Sequence, residues 1–582
     1  MIHRCILSIL CLAFALSAGP PPRAAQGQGT PVRVTTRLVE VTVVVQDKKG
    51  EAIADLTRDD FEILEQGKAQ AISAFSIESN RNPIGRAEAL PPNTFSNMPS
   101  RSAASQNLTV ILFDTLNTPV LDQAIAKKGV VQFLQQIKPQ DRVAVYGLAS
   151  SLHVIHDFTG DSAALVRAVE RYRIRSSLEQ AGSIPAIEDN SRLAEDEKEA
   201  KIIAAMDSFL NESLQRLANE FIERRTSATL QALEMLASHL AFLPGRKSLV
   251  WVSAGFPFVY GSSAMQINQY TDGMKNFSQA VSRTARFITN ANVAIYPVDA
   301  RTLMGQAAIR PSTRPSTVTN TTKQRAAIDL QMTDEVLESH GTMTELANQT
   351  GGRAVYDNND VQRAIQQVLE DSRVTYRLGY YPTDTRFDGK FRSIRVSVQR
   401  VGAQMRYRRG YYAFPNDPPN DDNGQRAVEA AAISPLDATG LTFLIEVGKA
   451  ESGSKTRPLI MEIDTNTIKL EPVQEGWTGG LDAVFSQSDE KGKVVSSVGR
   501  KVPLKLTAAD REQLLQNGLV LNIPIALRPD CARLRVILRD VNSGAVGTVT
   551  IPIRSLLFQP AFLARKQGDA LLLPPASRAT RR

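Results

Sequence analysis

The chain has 582 residues, too many for one hydrophobic core, so three or four domains are expected. Hydrophobic residues make up 42% and charged residues 22%, the balance of ordinary globular protein rather than of a disordered or fibrous chain. The net charge of +8 is modest for this length, and the arginines between Arg392 and Arg409 show no basic and aromatic interleaving, so no nucleic-acid partner is expected.

At the N-terminus, His3 and Arg4 precede an apolar stretch from Cys5 to Ala18 with small residues after it. That is the pattern of a secretory signal. A signal peptide over residues 1–28 is therefore expected, and with it a periplasmic, cell-envelope or extracellular location. The stretch is short for a retained membrane span, and no other apolar run is long enough to cross a bilayer. Cys5 and Cys11 fall within the signal, so Cys531 alone remains, without a disulfide partner. A structural zinc site of four cysteines is excluded by count.

Residues 32–78 alternate apolar and polar side chains and carry turns at Asp47–Gly50 and Gln66–Gly67, which predicts a run of strands. Residues 79–106, rich in Asn, Pro, Ser and Arg, read as a linker. The central region, 107–373, alternates strand and helix. It opens on Asn107–Pro119: an apolar run, then Asp114, then hydroxyl and amide residues, then a proline at the start of a helix. Further strands are predicted at Arg142–Ala149, Leu152–Asp157, Ser248–Val252, Val293–Val298 and Arg353–Tyr356. Helices are predicted at Val120–Ile137, Ser162–Arg171, Asp272–Asn290, Thr342–Gln349 and Val361–Arg373. The two-residue connection Ser150–Ser151 suits a hairpin, so one strand should be antiparallel in an otherwise parallel six-stranded doubly wound sheet. In such sheets ligands sit outside the carboxyl ends of the strands, which puts Asp114 at a functional rim.

An insertion at 173–243 turns helical from about Leu193, as one helix or a helix pair longer than a crossover requires, so it should project from the domain or lie across it. Residues 305–325 are of low complexity. Residues 374–412 return to strand alternation, and they are expected to complete one β-sandwich with 32–78, into which the α/β domain is inserted. A second linker is read at 413–428, a second β-sandwich at 429–558 and a frayed tail at 559–582.

Several blocks in order resemble the VWFA-related domain proteins abundant in acidobacteria, whose central module is a von Willebrand factor A-like domain. The blocks are VTVVVQDKKGEAIADLTRDDFEILEQGK, LFDTLNTP, DRVAVYGLASSLHVIHDFTGD, LPGRKSLVWVSAGFP, NVAIYPVDAR, LANQTGGRAVYDNNDVQRAIQQVLEDSRVTYRLGYYP and the run from GKFRSIRVSVQR to YRRGYYA, together covering about residues 32–412. The resemblance implies a metal-ion-dependent adhesion site that offers oxygens to Mg2+ or Mn2+ and takes a carboxylate from a protein ligand. Carried over, it assigns Asp114 as the first carboxylate, Thr118 as the last hydroxyl of that loop and Thr159 as the second-loop threonine. Leu116 stands where the middle hydroxyl belongs, and Ser253-Ala254-Gly255 where a third-loop aspartate belongs, so the site is degenerate. Asn117, Ser253 and Asp299 join the ligand rim, with Arg301 the expected partner of Asp299. Two readings of Asp114 stand: a metal ligand, or a cap that accepts the free N–H groups of the following helix.

Among enzyme signatures, the chain has no phosphate-binding glycine loop, no nucleophile elbow and no HExxH. His153 and His156 are three apart on a predicted strand, a spacing that points them to opposite faces. The expectation is an exported scaffold that binds a protein ligand at the rim. The alternatives are an envelope hydrolase using Asp114, His156 and Asp299, and an assembly component that uses the helical insertion.

Overall fold

The computed structural model describes residues 38–79, 90–98, 107–173, 196–241, 243, 245–255, 278–301, 339–356, 361–371, 373–413, 421–450, 456–474, 476–553, 556 and 571–572. The signal segment and residues 305–325 lie outside the described residues.

The first strands are β1 (Val39–Gln46), β2 (Phe61–Glu65), β3 (Lys68–Gln70) and β4 (Ile72–Ser79). A short strand β5 (Thr94–Ser96) follows inside the stretch read as a linker, which corrects that reading. Three polar or aromatic residues carry no pattern of their own, and β5 exists because a distant sheet offers it an edge.

The central region then builds β6 (Leu108–Asp114), α1 (Val120–Leu134), β7 (Arg142–Leu148), β8 (Leu152–Thr159), α2 (Ser162–Arg171) and α3 (Glu197–Leu240). It continues with β9 (Lys247–Ser253), α4 (Ser278–Asn290), β10 (Val293–Asp299), α5 (339–350) and α6 (Val361–Asp371). The strand order is β10-β9-β6-β7-β8, with β8 the antiparallel edge. Every residue of β6, β9 and β10 is buried, the mark of strands covered on both faces. Val110, Leu112, Tyr146 and Trp251 pack with α3 residues Leu230, Leu233, Leu236 and Leu240, together with Ile288 of α4. The alternate residues Ile111, Phe113, Val145 and Val250 pack with α1, α2 and α6 through Val130, Phe133, Leu165 and Ile365.

The sheet has five strands among the described residues, not six. The expected strand at Arg353–Tyr356 is one parallel bridge, Val298 to Val355. The preceding turn explains the shortfall. Gly351 has a φ of +79°, and the Gly352 Cα is pressed so closely on Ile295 that a Cβ there would lie 1.8 Å from its carbonyl oxygen. From there the chain runs beside β10 to Val355, whose N–H donates to the Pro297 carbonyl and whose carbonyl accepts the Asp299 N–H. Among the described residues of the insertion the chain forms one helix, α3, of 44 residues, about 66 Å long at the usual rise.

The chain returns through β11 (Val374–Tyr380), β12 (Phe391–Val398), β13 (Gln404–Arg406) and β14 (Gly410–Tyr412). One sheet runs β13-β1-β11-β4 and a second runs β14-β12-β2-β3. Val41, Val43, Ile63, Tyr376, Leu378, Ile394 and Val396 form one core that draws on both sheets. Beyond it lie α7 (Asp421–Ile433), β15 (Phe443–Val447), β16 (Thr456–Ile463), β17 (Glu471–Val473), β18 (Gly476–Ser488), β19 (Val494–Leu506), α8 (Ala508–Asn517), β20 (Leu519–Ala526), β21 (Arg533–Asp540) and β22 (Val546–Pro552). The helix α7 begins inside the second stretch read as a linker. In this part β20-β16-β15-β5 form one sheet, and β17-β18-β21-β22 with β19 form another. They share a core that includes Phe443, Met461, Phe485, Leu521 and Val536.

These parts meet through apolar packing, as of Leu436 in the core of the α/β part, and through specific polar contacts. Asp371 at the end of α6 accepts from Gln46 at 2.8 Å and pairs with Arg406 at 2.5 Å, which ties the α/β part to β1 and β13. His239 Nδ1 lies 2.6 Å from the Asp437 carbonyl, and the Thr439 hydroxyl donates to the His239 carbonyl at 3.0 Å. Lys247 is buried at the start of β9 and donates to the Leu243 carbonyl at 3.1 Å. Burial pulls its pKa down to about 8 against the opposing pull of Glu40 and Glu78. Between that value and lysine's ordinary one, the unfolded chain binds the proton that the fold excludes, so stability should rise with pH across that window. In denaturant unfolding, moving from pH 8 to pH 10.5 should favour the natural chain over Lys247→Met by up to about 3 kcal/mol. A gap independent of pH would show that Lys247 is an ordinary lysine.

Candidate functional site

The strand order reverses between β6 and β9, because the chain leaves β6 toward β7 on one side and later places β9 on the other. At such a switch point the loops diverge and open a crevice at the carboxyl ends of the strands. Asp114 ends β6, Ser253 ends β9 and Asp299 ends β10, with Asp299 in register with Ser253. Thr118 and Asn117 lie in the loop after β6. The structure brings these five residues to one rim.

Asp114 is 0% exposed. Its Oδ1 accepts the Asn117 backbone N–H at 2.9 Å. Its Oδ2 accepts from Asn117 Nδ2 at 2.9 Å, from Trp251 Nε1 at 3.0 Å and from Ser253 Oγ at 2.9 Å. Burial raises its pKa, and these donors act against that rise. The Thr118 hydroxyl accepts the Ala254 N–H at 3.0 Å, pinning the first loop to the third. Asn117 Nδ2 also lies 3.0 Å from Thr229 Oγ1, which fastens the loop to α3. Gln123 of α1 donates to the carbonyls of Thr115 and Thr118 at 3.0 and 2.7 Å.

Neither reading of Asp114 describes this arrangement. The carboxylate does not cap the following helix: α1 starts after Pro119 without a side-chain cap, and Asp114 instead closes the loop that precedes it. The donor set also does not fit a divalent cation. A hard cation needs oxygen lone pairs, and here N–H and O–H groups are aimed at the carboxylate from three directions. Asn117 Oδ1 is buried and unpartnered among the described residues, but it is one neutral oxygen.

Thr159 is not brought to this site. It ends β8, which runs antiparallel, and it pairs with Val143 at the beginning of β7, whereas Asp114 is in register with Leu148 at the end. Five residues of strand separate the two levels, about 16 Å. Thr159 accepts the Asp161 N–H at 3.1 Å, next to the Asp161 cap of α2. His153 and His156 sit on the same edge strand, where each Nδ1 lies 2.7 Å from a backbone carbonyl oxygen, of Ser151 and Asp157 respectively.

Asp299 pairs with Arg301 as the sequence reading expected, through contacts of 2.6 to 3.0 Å. It has a second partner that sequence reasoning missed, His340 Nε2 at 2.9 Å. Burial pushes the Asp299 carboxyl up, but the bonds from His340 and Arg301 outweigh it and hold the group below the usual range. The His340 ring stacks on Tyr356, with centroids 4.3 Å apart. Trp251 and Thr229 were missed as well. Trp251 sits inside an apolar strand and Thr229 inside a long helix, so neither carries a local signal.

At the outer lip of the rim, the first turns of α1 present Val120, Leu121 and Ile125 to solvent, Leu121 being 83% exposed. Tyr356, on the His340 side, is also exposed.

No protein-family model matches the chain, and no curated protein matches it either. Among solved structures, an aerotolerance-related membrane protein from Bacteroides fragilis matches at 11% identity, covering 45% of this chain and 98% of that one, with a TM-score of 0.24. BatB from Bacteroides thetaiotaomicron matches at 11% identity over 46% of this chain and 98% of its own, with a TM-score of 0.19. A von Willebrand factor type A protein from Catenulispora acidiphila matches at 8% identity over 62% and 80%, with a TM-score of 0.23.

The Asp114 geometry makes a direct prediction. An asparagine at this position would turn an amide N–H toward groups that already donate, leaving buried donors unpaired. Asp114→Asn should destabilise the α/β part by roughly 2–4 kcal/mol, and Ser253→Ala by about 1 kcal/mol. Both are measurable by denaturant unfolding; a neutral Asp114→Asn would show that the donors have water to turn to.

Proposed function

We infer that this chain is an exported scaffold of the von Willebrand factor A-like type that binds a protein ligand at the strand-end rim without a bridging metal ion. The observation that carries this reading is the contrast at the rim. Its polar groups are already paired with one another, while Val120, Leu121 and Ile125 stand exposed just outside. A cluster of exposed apolar residues beside a rigid polar edge suits a protein surface better than a small polar substrate. Export rests on the N-terminal signal pattern, and among the described residues no helix is long and apolar enough to cross a membrane.

The hydrolase alternative would need Asp114, His156 and Asp299 together. His156 lies on β8 and Asp299 on β10, at opposite sides of a five-stranded sheet and four strand spacings apart, about 19 Å. That distance does not support shared chemistry.

The test is to isolate the ligand from envelope extract with the natural chain as bait and measure its binding by calorimetry. Leu121→Glu should weaken binding at least ten-fold while leaving the circular dichroism spectrum intact. Chelator should leave binding unchanged. Loss of binding in chelator, restored by Mg2+ or Mn2+, would overturn the metal-free reading. Full affinity in Leu121→Glu would move the ligand away from this lip.

A further inference from the structure

The last group of sheets has a complete core without β5. Among the described residues, every buried member of that core lies between Leu441 and Leu556, and Phe95 of β5 packs against it from a half-buried position. The turn beside β5 is likewise built from these sheets themselves. Ala438 donates its N–H to Thr548 Oγ1 at 2.8 Å and accepts the Thr548 N–H at 2.9 Å, and Gly440 donates to the Val546 carbonyl at 2.9 Å. Gly547 lets the turn lie this close, since a Cβ there would fall 2.0 Å from the Leu441 carbonyl oxygen. Residues 90–98 therefore lie on a finished edge, as a bound peptide does.

Their contacts are those of a ligand. Three residues pair antiparallel with β15: Thr94 with Glu446, Phe95 with Ile445 and Ser96 with Leu444. The Asn93 carbonyl accepts the Val447 N–H at 3.0 Å, and Ser96 Oγ donates to the Phe443 carbonyl at 2.9 Å. Asn97 is buried and supplies the selectivity. Its Nδ2 donates to the carbonyls of Ala438 and Leu441 at 2.7 and 2.8 Å, and its Oδ1 accepts the Phe443 N–H at 2.9 Å. All three partners are main-chain groups, so the position demands two donors and an acceptor at the tip of one short side chain. An aspartate would aim negative charge at two carbonyl oxygens, and a serine has only one proton to donate.

We propose that the β15 edge and the 438–443 turn form a strand-docking site for an extended segment of a partner protein, one that carries an aromatic residue and an asparagine two positions later, and that residues 93–97 fill this site in cis. Main-chain pairing supplies affinity and the two side chains supply selectivity, the division of labour in strand addition. The edge pairing of β5 is three residues long and its departure breaks no core, so another segment of the same kind can take its place. The site is separate from the strand-end rim and uses none of its residues. A competing segment would displace residues 90–98, and the stretch that joins the first pair of sheets to the α/β part would lose its hold on the last group of sheets.

The probe is a fluorescein-labelled synthetic peptide of residues 90–98, LPPNTFSNM, whose anisotropy is followed on titration with the full-length protein. Phe95→Ala combined with Asn97→Ala empties the site and should leave the circular dichroism spectrum unchanged. This double variant should bind the peptide in the micromolar range, at least ten-fold tighter than the natural chain, whose site is filled. The peptide carrying Asn97→Ala should bind the double variant at least ten-fold more weakly than the unaltered peptide. The single variant Asn97→Asp keeps Phe95 in place, and it too should bind the peptide more tightly than the natural chain. Equal binding to the natural chain and both variants, or binding to neither variant, would overturn the proposal. An altered peptide that binds as well as the unaltered one would overturn the role of Asn97. Unfolding of the double variant would overturn the docked segment by making β5 a part of the fold itself.

Discussion

A buried carboxylate governs the strand-end rim of the α/β part. Burying a charge is costly unless hydrogen bonds replace its water, and Asp114 has four such bonds. Meeting that demand determines much else. It requires a tryptophan whose indole N–H reaches in from β9, a serine where the β9 loop begins, and an asparagine whose backbone and side chain both turn back. Because the same asparagine also touches Thr229, the demand extends to the long helix. The loops that would open a crevice at the switch point are instead drawn together. On the proposed reading, recognition falls to the apolar residues outside the closed loop.

The parts of the chain are interlaced rather than strung in series. The segment between β4 and β6 leaves the first pair of sheets, lends β5 to the last group of sheets through pairing with β15, and only then enters the α/β part. Asn97, just after β5, donates to the carbonyls of Ala438 and Leu441 and accepts the Phe443 N–H, so this visit is firmly held. With the Asp371 and His239 contacts, the α/β part is clamped from both neighbours. Within α3, the rim contact at Thr229 and the Asp437 contact at His239 are ten residues apart, about 15 Å of rigid helix. A shift at one would be felt at the other.

The elements that could be read from the chain are those whose own residues dictate them. Leu108–Asp114 and Val293–Asp299 are apolar runs bounded by polar turns, and they form strands with every residue buried. The spacing of leucines over the insertion announces a helix, and α3 is that helix. What failed depends on partners far along the chain. Nothing in Thr94–Ser96 announces a strand, because its partner lies beyond residue 440. The sixth strand shrinks to one bridge at Val355, and the turn before it, with Gly351 against Tyr407 and Arg408 and Gly352 against Ile295, is set by neighbours far along the chain. Thr159 was placed by its order in the chain, although a hairpin strand after β7 must carry its far end away from the rim. His340 could not be matched to Asp299 from sequence, since 41 positions separate them and no local pattern links the two.

The pairing of β4 with β11 sets a timetable for synthesis. Ser79 at the end of β4 lies opposite Val374 at the start of β11, so the entry to and exit from the inserted part are adjacent in space. On a chain made from its N-terminus, β1 and β4 wait roughly three hundred residues for the strand that sits between them. Until then both present open edges, and the core around Val41, Val43 and Val45 lacks Tyr376, Leu378, Ile394 and Val396. The α/β part can complete its sheet first, and in doing so it delivers β11 to the gap. The inserted part would thus act as a template that closes the older strands, and a lesion in its interior would leave those strands exposed to aggregation as well.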